Sequence, residues 1–462
     1  MRLGRPRAAL LLLAFAAALV ALPALGPALA DMVVRLKDGK VYTIPVEPED
    51  IESIEFGRPA PQAAVEAEKN TAARRADEGQ QAGTAEQQAN NKAKKKKALG
   101  PQVWLVGPDH PLKMPSEAAK RVKSGDTVLI QPGVYERDVA IWPAFVHDLT
   151  IRGDGGIAHM KSEGKNADGK GIWIIRGNNV TVENIEFSGT RVRDRNGAGI
   201  RISGKSLTIR NCIFHHNEIG ILGGEDGGEY VIENSEFYAN GFPYTEEFKP
   251  GHNIYINRGA LLVVRNSYFH DSIVGHQIKS RVKKSVIVNN RITDENGDGS
   301  YLIDLPYAGD AFIIGNVLEK GPNTENFILI SYAAEKRRVD GRRVYIVNNT
   351  AVANRPDAIF VRNAAKDATV MLYNNLLVGI DRVSEGAAEE HGTVEARRED
   401  LVDADAFDFR LRAGAAAIDA GVDLPRVEDV PLAPEAQYVH PRASQPRPKV
   451  GRLDVGAYEF GG

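Results

Sequence analysis

A short recurring phrase constrains the fold of this chain more than any other feature. Each copy is a strand rich in β-branched residues that closes on asparagine, as in VTVEN, LVVRN and VYIVN. Successive closing asparagines are separated by 27, 23, 32, 24, 26, 32 and 26 residues. They are Asn184, Asn211, Asn234, Asn266, Asn290, Asn316, Asn348 and Asn374. Such intervals are typical of stacked repeats, and because no long helical pattern separates the strands, a parallel solenoid with three short strands per coil is predicted.

The recurring asparagine has a structural explanation. A sharp turn between two sheets favours a residue that tolerates left-handed backbone angles, and asparagine does so. Amide side chains stacked from coil to coil can also hydrogen-bond to one another. We therefore expect these asparagines to build the coil and not to bind a ligand.

Residues 1–30 have the pattern of a secretory signal peptide. A basic start precedes the apolar run AALLLLAFAAALVALPAL, and Ala28-Leu29-Ala30 is a small-residue cleavage site. The alternative is an uncut membrane anchor, since the run is almost long enough to span a bilayer. Cleavage before Asp31 would leave no transmembrane segment, and we expect a bacterial protein that is periplasmic or secreted.

Two segments of different composition follow the leader. Residues 31–57 contain two alternating runs around Lys-Asp-Gly-Lys and a third short strand, which predicts a small β-hairpin module. Residues 58–100 have no aromatic residue and predict a disordered, charged linker. Its Lys94–Lys97 cluster either belongs to a solvated spacer or touches an anionic envelope surface.

The region 101–462 carries the repeat. Its opening PSEAAKRVKSGDTVLIQPGVY predicts a helix, with Ser116 as N-cap, that covers the open end of the stacked core. This opening, the strand-asparagine coils and the ending FDFRLRAGAAAIDAG…DVGAYEF resemble the right-handed parallel β-helix proteins typified by pectate-lyase-like enzymes. The resemblance implies an all-β fold, a three-sheet right-handed parallel β-helix with an N-terminal helical cap. That architecture serves lyases, hydrolases, epimerases and adhesins, so it does not determine the function.

Charge and cysteine content exclude some classes. The net charge of −3 provides no basic field for nucleic acid, so no nucleic-acid partner is expected. The single cysteine, Cys212, excludes an intrachain disulfide.

Strand alternation predicts one outward, polar sheet face. Every second residue of a strand points out of the solenoid. Four outward side chains are expected on one sheet, with Asp304 on the strand that follows. These four are Trp173, Arg201, Tyr255 and Lys279. Their polar neighbours are Asn253, Asn257, Gln277 and Arg281.

Two insertions fall beside this face. The long intervals hold residues 241–251 and 330–343, which should wall a groove, with Tyr244 and Tyr332 among its lips. Aromatic rings stack on sugars, arginine pairs with carboxylates and amides bind hydroxyls. The predicted partner is therefore an acidic polysaccharide. The expected substrate-binding residues are Trp173, Arg201, Asn253, Asn257, Gln277, Tyr244 and Tyr332.

A lyase acting on uronic acids needs a cation, a base and an acid. Lys279 is the candidate base if its neutral form is accessible, Arg281 the neutraliser of the substrate carboxylate, and Tyr255 the acid. Alginate and chondroitin lyases of this fold pair a lysine base with an arginine, and the residue types here are similar to theirs. The alternative is that these cations only solvate the sheet and that Asp304 is only a salt-bridge partner of Lys279.

The histidines allow two interpretations. His252 and His276 occupy equivalent slots, and strand parity predicts an inward, stacked and hydrogen-bonded pair. A slip of one residue in strand phase turns both outward and makes them alternative catalytic bases. His215, His216 and His270 have no diagnostic metal spacing, so no metal ligands are assigned. Residues 294–298 resemble a calcium loop but lack its terminal glutamate, which leaves Ca²⁺ an option only.

The function predicted from sequence is that of an exported carbohydrate-active β-helix protein. The first candidate is a polysaccharide lyase-like enzyme that cleaves a uronate-containing glycan by β-elimination. The second is a non-catalytic glycan-binding or cell-envelope scaffold protein, so whether the protein is an enzyme stays open at this point.

Overall fold

The computed structural model describes residues 31–35, 41–45, 100–324 and 326–461. The chain divides into two units, residues 1–96 and 97–462. In the first unit, β1 (Asp31–Arg35) and β2 (Val41–Pro45) pair antiparallel, as expected for the two strands that flank Lys-Asp-Gly-Lys. The predicted leader, the third strand of the hairpin module and residues 58–99 of the linker lie outside the described residues.

Three long parallel sheets form the second unit. Sheet 1 has 12 strands: β3 (Val103–Val106), β4 (Thr127–Ile130), β7 (His147–Gly153), β10 (Asn178–Glu183), β13 (Ser206–Arg210), β16 (Glu229–Glu233), β19 (Leu261–Arg265), β22 (Lys284–Val288), β25 (Asp310–Ile314), β28 (Val344–Val347), β31 (Val370–Tyr373) and β34 (Ala388–His391). Sheet 2 has 11 strands: β5 (Gly133–Glu136), β8 (Ala158–Lys161), β11 (Ile185–Ser188), β14 (Ile213–His215), β17 (Glu236–Tyr238), β20 (Tyr268–His270), β23 (Arg291–Thr293), β26 (Val317–Lys320), β29 (Thr350–Ala353), β32 (Leu376–Val378) and β35 (Val394–Ala396). Sheet 3 has 10 strands: β6 (Ala140–Trp142), β9 (Gly171–Ile175), β12 (Ala198–Ile202), β15 (Ile219–Gly223), β18 (Ile254–Ile256), β21 (Ile278–Ser280), β24 (Ile303–Leu305), β27 (Ile328–Tyr332), β30 (Ile359–Asn363) and β33 (Arg382–Glu385).

Each coil of the chain passes through sheet 1, sheet 2 and sheet 3 in turn. Neighbouring coils pair in parallel, so that equivalent residues stack directly above one another, as Phe187 does on Phe214. Four phenylalanine rings stack in this way inside sheet 2, at centroid distances of 5.0, 4.8 and 4.8 Å. They are Phe187, Phe214, Phe237 and Phe269. The predicted three-sheet solenoid is confirmed.

The recurring asparagines fill two structural positions, which the sequence repeat does not distinguish. Six of them have positive φ between 48 and 57°, as predicted for the turn after sheet 1. These six are Asn184, Asn211, Asn234, Asn266, Asn348 and Asn374. In the other two coils the left-handed residue is Asn289 (φ 52°) or Gly315 (φ 64°). Asn290 and Asn316 therefore belong to the next position along the chain.

That next position points into the core and carries the predicted amide stack. Asn290 donates from Nδ2 to Oδ1 of Asn316 at 2.9 Å, and Asn316 donates likewise to Asn349 at 3.0 Å. Asn349 continues the ladder to Asn375 at 3.0 Å. All four side chains are buried, and a buried polar group is tolerated only when it is hydrogen-bonded.

A short helix covers the N-terminal end of the core. α1 (Pro115–Ala119) packs against β3 and β6, and its Ala118 and Ala119 join the main hydrophobic cluster. The predicted helical cap is thus confirmed, but Ser116 is not its N-cap. Because Pro115 occupies the first helical position, the preceding Met114 is the N-cap, and the Ser116 N–H donates to Asp138 at 3.0 Å.

The C-terminal segment covers part of the outer face of sheet 2, over strands β26, β29 and β32. It contains a 3₁₀ turn (Arg398–Asp400) and two antiparallel pairs. These pairs are β36 (Leu401–Asp403) with β37 (Asp408–Leu411) and β38 (Ala436–Val439) with β39 (Ala443–Pro446). Phe409 and Val455 belong there to the same buried cluster as Val352 of β29. Within the described ranges, no helix is long and apolar enough to span a bilayer.

Candidate active site on sheet 3

The outer face of sheet 3 carries one continuous row of side chains, here called the outward row. Parallel pairing in register aligns one residue from each of six successive strands, β12 to β27. These are Arg201, Leu222, Tyr255, Lys279, Asp304 and Ser331. Four of them were predicted to share this face, and they do. The prediction worked because buried residues flank the polar one, which are Ile200 and Ile202 on β12, Ile254 and Ile256 on β18, and Ile278 and Ser280 on β21.

Trp173 does not belong to the outward row. It pairs with Ile200 and is fully buried, whereas its neighbour Ile174 is the residue of β9 that pairs with Arg201. The expected outward position of Trp173 is therefore wrong. All five residues of β9 are buried, so the sequence does not show which of them point outward. The indole packs edge-on against Trp142, at a centroid distance of 5.2 Å.

Lys279 lies between two carboxylates. Its Nζ is 2.8 Å from Oδ2 of Asp304 on the next coil and 3.3 Å from Oε1 of Glu335. The lysine side chain is 12% exposed and that of Asp304 is 3% exposed. Burial raises the pKa of the Asp304 carboxyl, although Lys279 opposes this shift. Both members of the pair are therefore largely removed from solvent.

Arg281 completes a cationic pair with Lys279. The guanidinium holds both oxygens of Glu335, at 2.5 and 2.6 Å from Nη2, and it also donates to the Tyr255 hydroxyl. The Tyr307 ring stacks on it at 4.5 Å. Burial by itself raises the pKa of Glu335, but the hydrogen bond from Arg281 and the charge of Lys279 bring the pKa below its usual value.

Glu335 is the functional candidate that sequence reasoning missed. It lies in the insertion 330–343, from which the sequence pattern selects only Tyr332 as a binding residue. The available signal was an acidic residue in the loop after β27, two strands along sheet 3 from Lys279 on β21. The Glu335 carboxylate contacts both cations, because Nη2 of Arg281 reaches both oxygens and Nζ of Lys279 is 3.3 Å from Oε1, so the cationic pair accommodates a carboxylate.

His252 and His276 stack as predicted, with ring centroids 4.7 Å apart at 18°. Nδ1 of His252 accepts the backbone N–H of His276 at 3.0 Å, and Nδ1 of His276 accepts that of Tyr301 at 3.2 Å. Because both Nδ1 atoms are acceptors, the neutral rings carry their proton on Nε2. Burial, followed by the charges of Lys279 and Arg281, lowers the pKa of His252 to about 3.

The expected inward direction of the two rings is wrong. Nε2 of His276 lies 3.5 Å from Oδ2 of Asp304, and the His252 ring meets Tyr255 edge-on at 5.4 Å. Both rings thus lie against side chains of the outward row and not in the core. Strand parity breaks at the corner before β18 and β21, where Asn253 and Gln277 turn into the core instead.

Three expected substrate-binding residues are structural. Asn253 and Gln277 are fully buried and hydrogen-bonded to each other at 2.5 Å, within a second amide ladder that includes Asn240. Tyr332 is 1% exposed, and its hydroxyl donates to the Gly309 carbonyl at 2.8 Å. It alternates with Ser331, which occupies the outward row, so its predicted lip position is wrong.

The other expected binding residues remain available to a ligand. Tyr244, in the insertion 241–251, is 69% exposed. Asn257 is partly buried, and its Oδ1 has no hydrogen-bond partner in the described part of the chain. The same holds for Nη1 of Arg201, where burial lowers the pKa of the guanidinium. Arg201 lies three strands from Lys279, about 14 Å at usual strand spacing.

The calcium-like loop does not fit calcium. Asp294 points into the core, where Lys320 neutralises it at 2.9 Å with both side chains fully buried. Asp298 accepts the N–H of Val274 at 2.8 Å. Ca²⁺ requires six to eight converging oxygen ligands, and a carboxylate already paired with an internal lysine does not supply one. No catalytic step is therefore derived through calcium.

The comparisons with known proteins agree with the geometry of the fold. Residues 149–272 match the family model described as the right handed beta helix region. A solved structure, the pectate lyase Pel9A, is 17% identical with a TM-score of 0.54, covering 78% of this chain and 96% of that enzyme. The chain is a right-handed parallel β-helix protein.

Other solved structures match this β-helix protein less well. An alginate lyase from Paenibacillus sp. str. FPU-7 is 14% identical with a TM-score of 0.42, over 59% of this chain and 95% of that one. A pectin methylesterase from Aspergillus niger is 14% identical with a TM-score of 0.32, over 70% and 91%. No curated protein matches the sequence. The likeness to the pectate lyase, at 17% identity, shows the fold alone.

Proposed function

We propose that this β-helix protein is a polysaccharide lyase-like enzyme that cleaves a uronate-containing glycan by β-elimination. The observation that carries the proposal is the Glu335 carboxylate held by Lys279 and Arg281. A uronate carboxylate of the substrate has the same shape and charge and would displace it. Arg281 then neutralises that carboxylate, which acidifies the proton on the adjacent carbon.

Lys279 and Asp304 supply the base. An ammonium cannot accept a proton, so Lys279 first transfers one from Nζ to Oδ2 of Asp304, 2.8 Å away. Burial raises the pKa of Asp304, which favours this transfer. The resulting amine takes the carbon-bound proton of the substrate, and a carbon–carbon double bond forms as the glycosidic carbon–oxygen bond breaks.

Tyr255 supplies the acid. Burial raises the pKa of its phenol, so the hydroxyl keeps its proton in the resting site. Its oxygen accepts a hydrogen bond from Arg281, which leaves the hydroxyl hydrogen free to protonate the leaving oxygen. Arg281 then stabilises the phenolate until solvent returns a proton.

Arg201 and Asn257 extend the binding face. Both carry a buried polar atom without a hydrogen-bond partner among the described residues, and such atoms gain from a polar ligand. Arg201 would bind the carboxylate of another sugar unit of the same glycan. We propose an acidic polysaccharide substrate for this reason. A pectate lyase with the same fold supports the view that this scaffold can carry such a reaction.

Export belongs to the same proposal. The leader predicted at residues 1–30 would place the protein in the periplasm or outside the cell, where polysaccharides are accessible. Cell fractionation, with N-terminal sequencing of the mature protein from Asp31, tests this step.

A second candidate is a non-catalytic glycan-binding protein. The observation in its favour is that each member of the cationic pair already has a carboxylate partner. In that case Glu335 is exchanged for a substrate carboxylate without chemistry. Incubation with alginate, pectate and glycosaminoglycans distinguishes the two. Ultraviolet absorbance of an unsaturated uronate product supports the lyase, whereas binding without product supports the second candidate.

A further inference from the structure

A cluster of two imidazoles and one carboxylate lies on the outer face of sheet 2, a different sheet from the candidate active site. His159 of β8 stands opposite Glu186 of β11, and His215 of β14 stands opposite Ser188 of the same β11. The three strands belong to consecutive coils. Hydrogen-bonded backbone pairing therefore holds the three potential ligands on a rigid frame.

The polar atoms of this cluster converge. Nε2 of His215 is 2.8 Å and Nε2 of His159 is 3.6 Å from the same Oε1 of Glu186. The three ligand atoms lie within 4.8 Å of one another. In tetrahedral zinc sites, bonds of about 2.0–2.1 Å place ligand atoms roughly 3.3–3.4 Å apart. The observed separations bracket that value, so small side-chain rotations suffice.

From this geometry we propose that His159, Glu186 and His215 bind a divalent transition-metal ion such as Zn²⁺. Two imidazole nitrogens and one carboxylate suit Zn²⁺ and its neighbours in the first row and disfavour Ca²⁺ and Mg²⁺. The three side chains are 20%, 24% and 14% exposed, so an ion can enter from solvent. Three protein ligands leave a fourth position for water, beside Ser188, whose Oγ is 2.7 Å from Nε2 of His159.

The surroundings support a metal more than an internal ion pair. Nδ1 of His215 lies 2.8 Å from Nδ1 of His216, and such a partner orients a ligating imidazole. Of the nearby cations, Lys161 on β8 is held 3.0 Å from both Glu136 and Glu163, and Nε of Arg442 is 3.8 Å from Glu236, so each is paired with another carboxylate.

A second cluster on the same sheet gives a useful contrast. His270, Asp271 and Glu295 also lie together. There, however, Nη2 of Arg291 is 3.1 Å from Oε1 of Glu295, and the hydroxyl of Tyr268 donates to the same oxygen at 2.6 Å. An internal cation already neutralises that carboxylate. The proposal is confined to the first cluster.

The test uses the tag-free mature chain after treatment with a chelator. Titration with Co²⁺ should produce the visible absorption of a low-symmetry four-coordinate ion, Zn²⁺ should abolish it, and Zn²⁺ should raise the melting temperature. His159→Asn and Glu186→Gln should each weaken binding at least about tenfold, and His216→Asn by about 10–100-fold. The control is His147→Asn, at a histidine that is 62% exposed, which should bind as the wild type does.

Two results would overturn the site. One is a Co²⁺ titration without visible absorption. The other is a Glu186→Gln variant that binds Zn²⁺ as tightly as the wild type. Because glutamine keeps the shape of glutamate, this variant should fold even if His159→Asn does not, and circular dichroism of the metal-free proteins checks this. All readouts are independent of any reaction on a glycan.

Discussion

The buried histidine stack behind the outward row predicts a specific loss of stability in acid. Burial, with the charges of Lys279 and Arg281, lowers the pKa of His252 from 6.5 to about 3. Below pH 6.5 the unfolded chain takes up a proton at this residue, and the folded chain does so only near pH 3. Folding stability is therefore complete above pH 6.5 and falls as the pH is lowered from 6.5 towards 3.

The size of the effect follows from the shift. One pKa unit corresponds to about 1.4 kcal/mol, so at pH 5 the His252 contribution costs about 2 kcal/mol relative to pH 7.5. His276, whose pKa is also lowered by burial, adds to the loss in the same direction. His252→Asn retains an acceptor for the His276 N–H but no titrating ring. The pH-dependent loss in this variant should be about 2 kcal/mol smaller than in the wild type.

Urea denaturation at pH 7.5 and pH 5 measures this difference for the wild type and for His252→Asn. Asn in place of the ring also creates a cavity, but that cost is present at both pH values and cancels in the comparison. His147→Asn is the control, because the His147 ring is exposed. An equal acid loss in His252→Asn and wild type would show that the stack does not titrate in this way.

Three further substitutions test particular contacts. Glu335→Gln should raise the affinity for an oligouronate about fivefold, because an internal ion pair of about 1 kcal/mol no longer competes with the ligand. Calorimetry measures the affinity, and an equal gain in the control variant Glu246→Gln, in the other insertion, would refute this. Asn316→Ala leaves two buried ladder groups unpaired and should lower the free energy of unfolding by about 3 kcal/mol; a loss below about 1 kcal/mol would argue against the ladder. Trp173→Ala should lower the free energy of unfolding, measured by chemical denaturation, by about 3–5 kcal/mol and leave glycan binding unchanged. Weaker glycan binding with unchanged stability would instead place the indole in the groove.

The fold was predictable from sequence because a solenoid repeats its local rules. Each coil shows a β-branched strand and a turn residue with left-handed backbone, so eight copies support one another even where single copies deviate. The sequence repeat could not separate Asn290 and Asn316 from the turn asparagines, because asparagine occupies both the turn and the adjacent inward position. Only backbone angles separate those two roles.

The site was predictable only where alternation was informative. Arg201, Tyr255 and Lys279 are each flanked by apolar or small buried residues, and their outward direction followed. Trp173 lies in a wholly apolar strand, which has no readable phase. At the corners between sheets the inward–outward alternation of side chains fails, because the rotation of the chain in a turn cannot be read from the strand pattern. The burial of Asn253 is an example.

Contacts between distant segments could not be deduced from sequence. Glu335 reaches Arg281 across 54 residues, and His159 meets Glu186 only because neighbouring coils stack in register. Register is a property of the assembled coils, set by the lengths of the turns between strands.

The initial rate of unsaturated uronate formation, measured for the wild type and for Lys279→Ala side by side, tests the proposed function most directly. The wild type should form the product from at least one acidic polysaccharide. Lys279→Ala should lose about 10²-fold or more in rate while binding the same glycan within a few-fold, because general-base catalysis typically contributes 10²–10⁴-fold. Product formation that is undiminished in Lys279→Ala, or absent from the wild type across alginate, pectate and glycosaminoglycans, would contradict it.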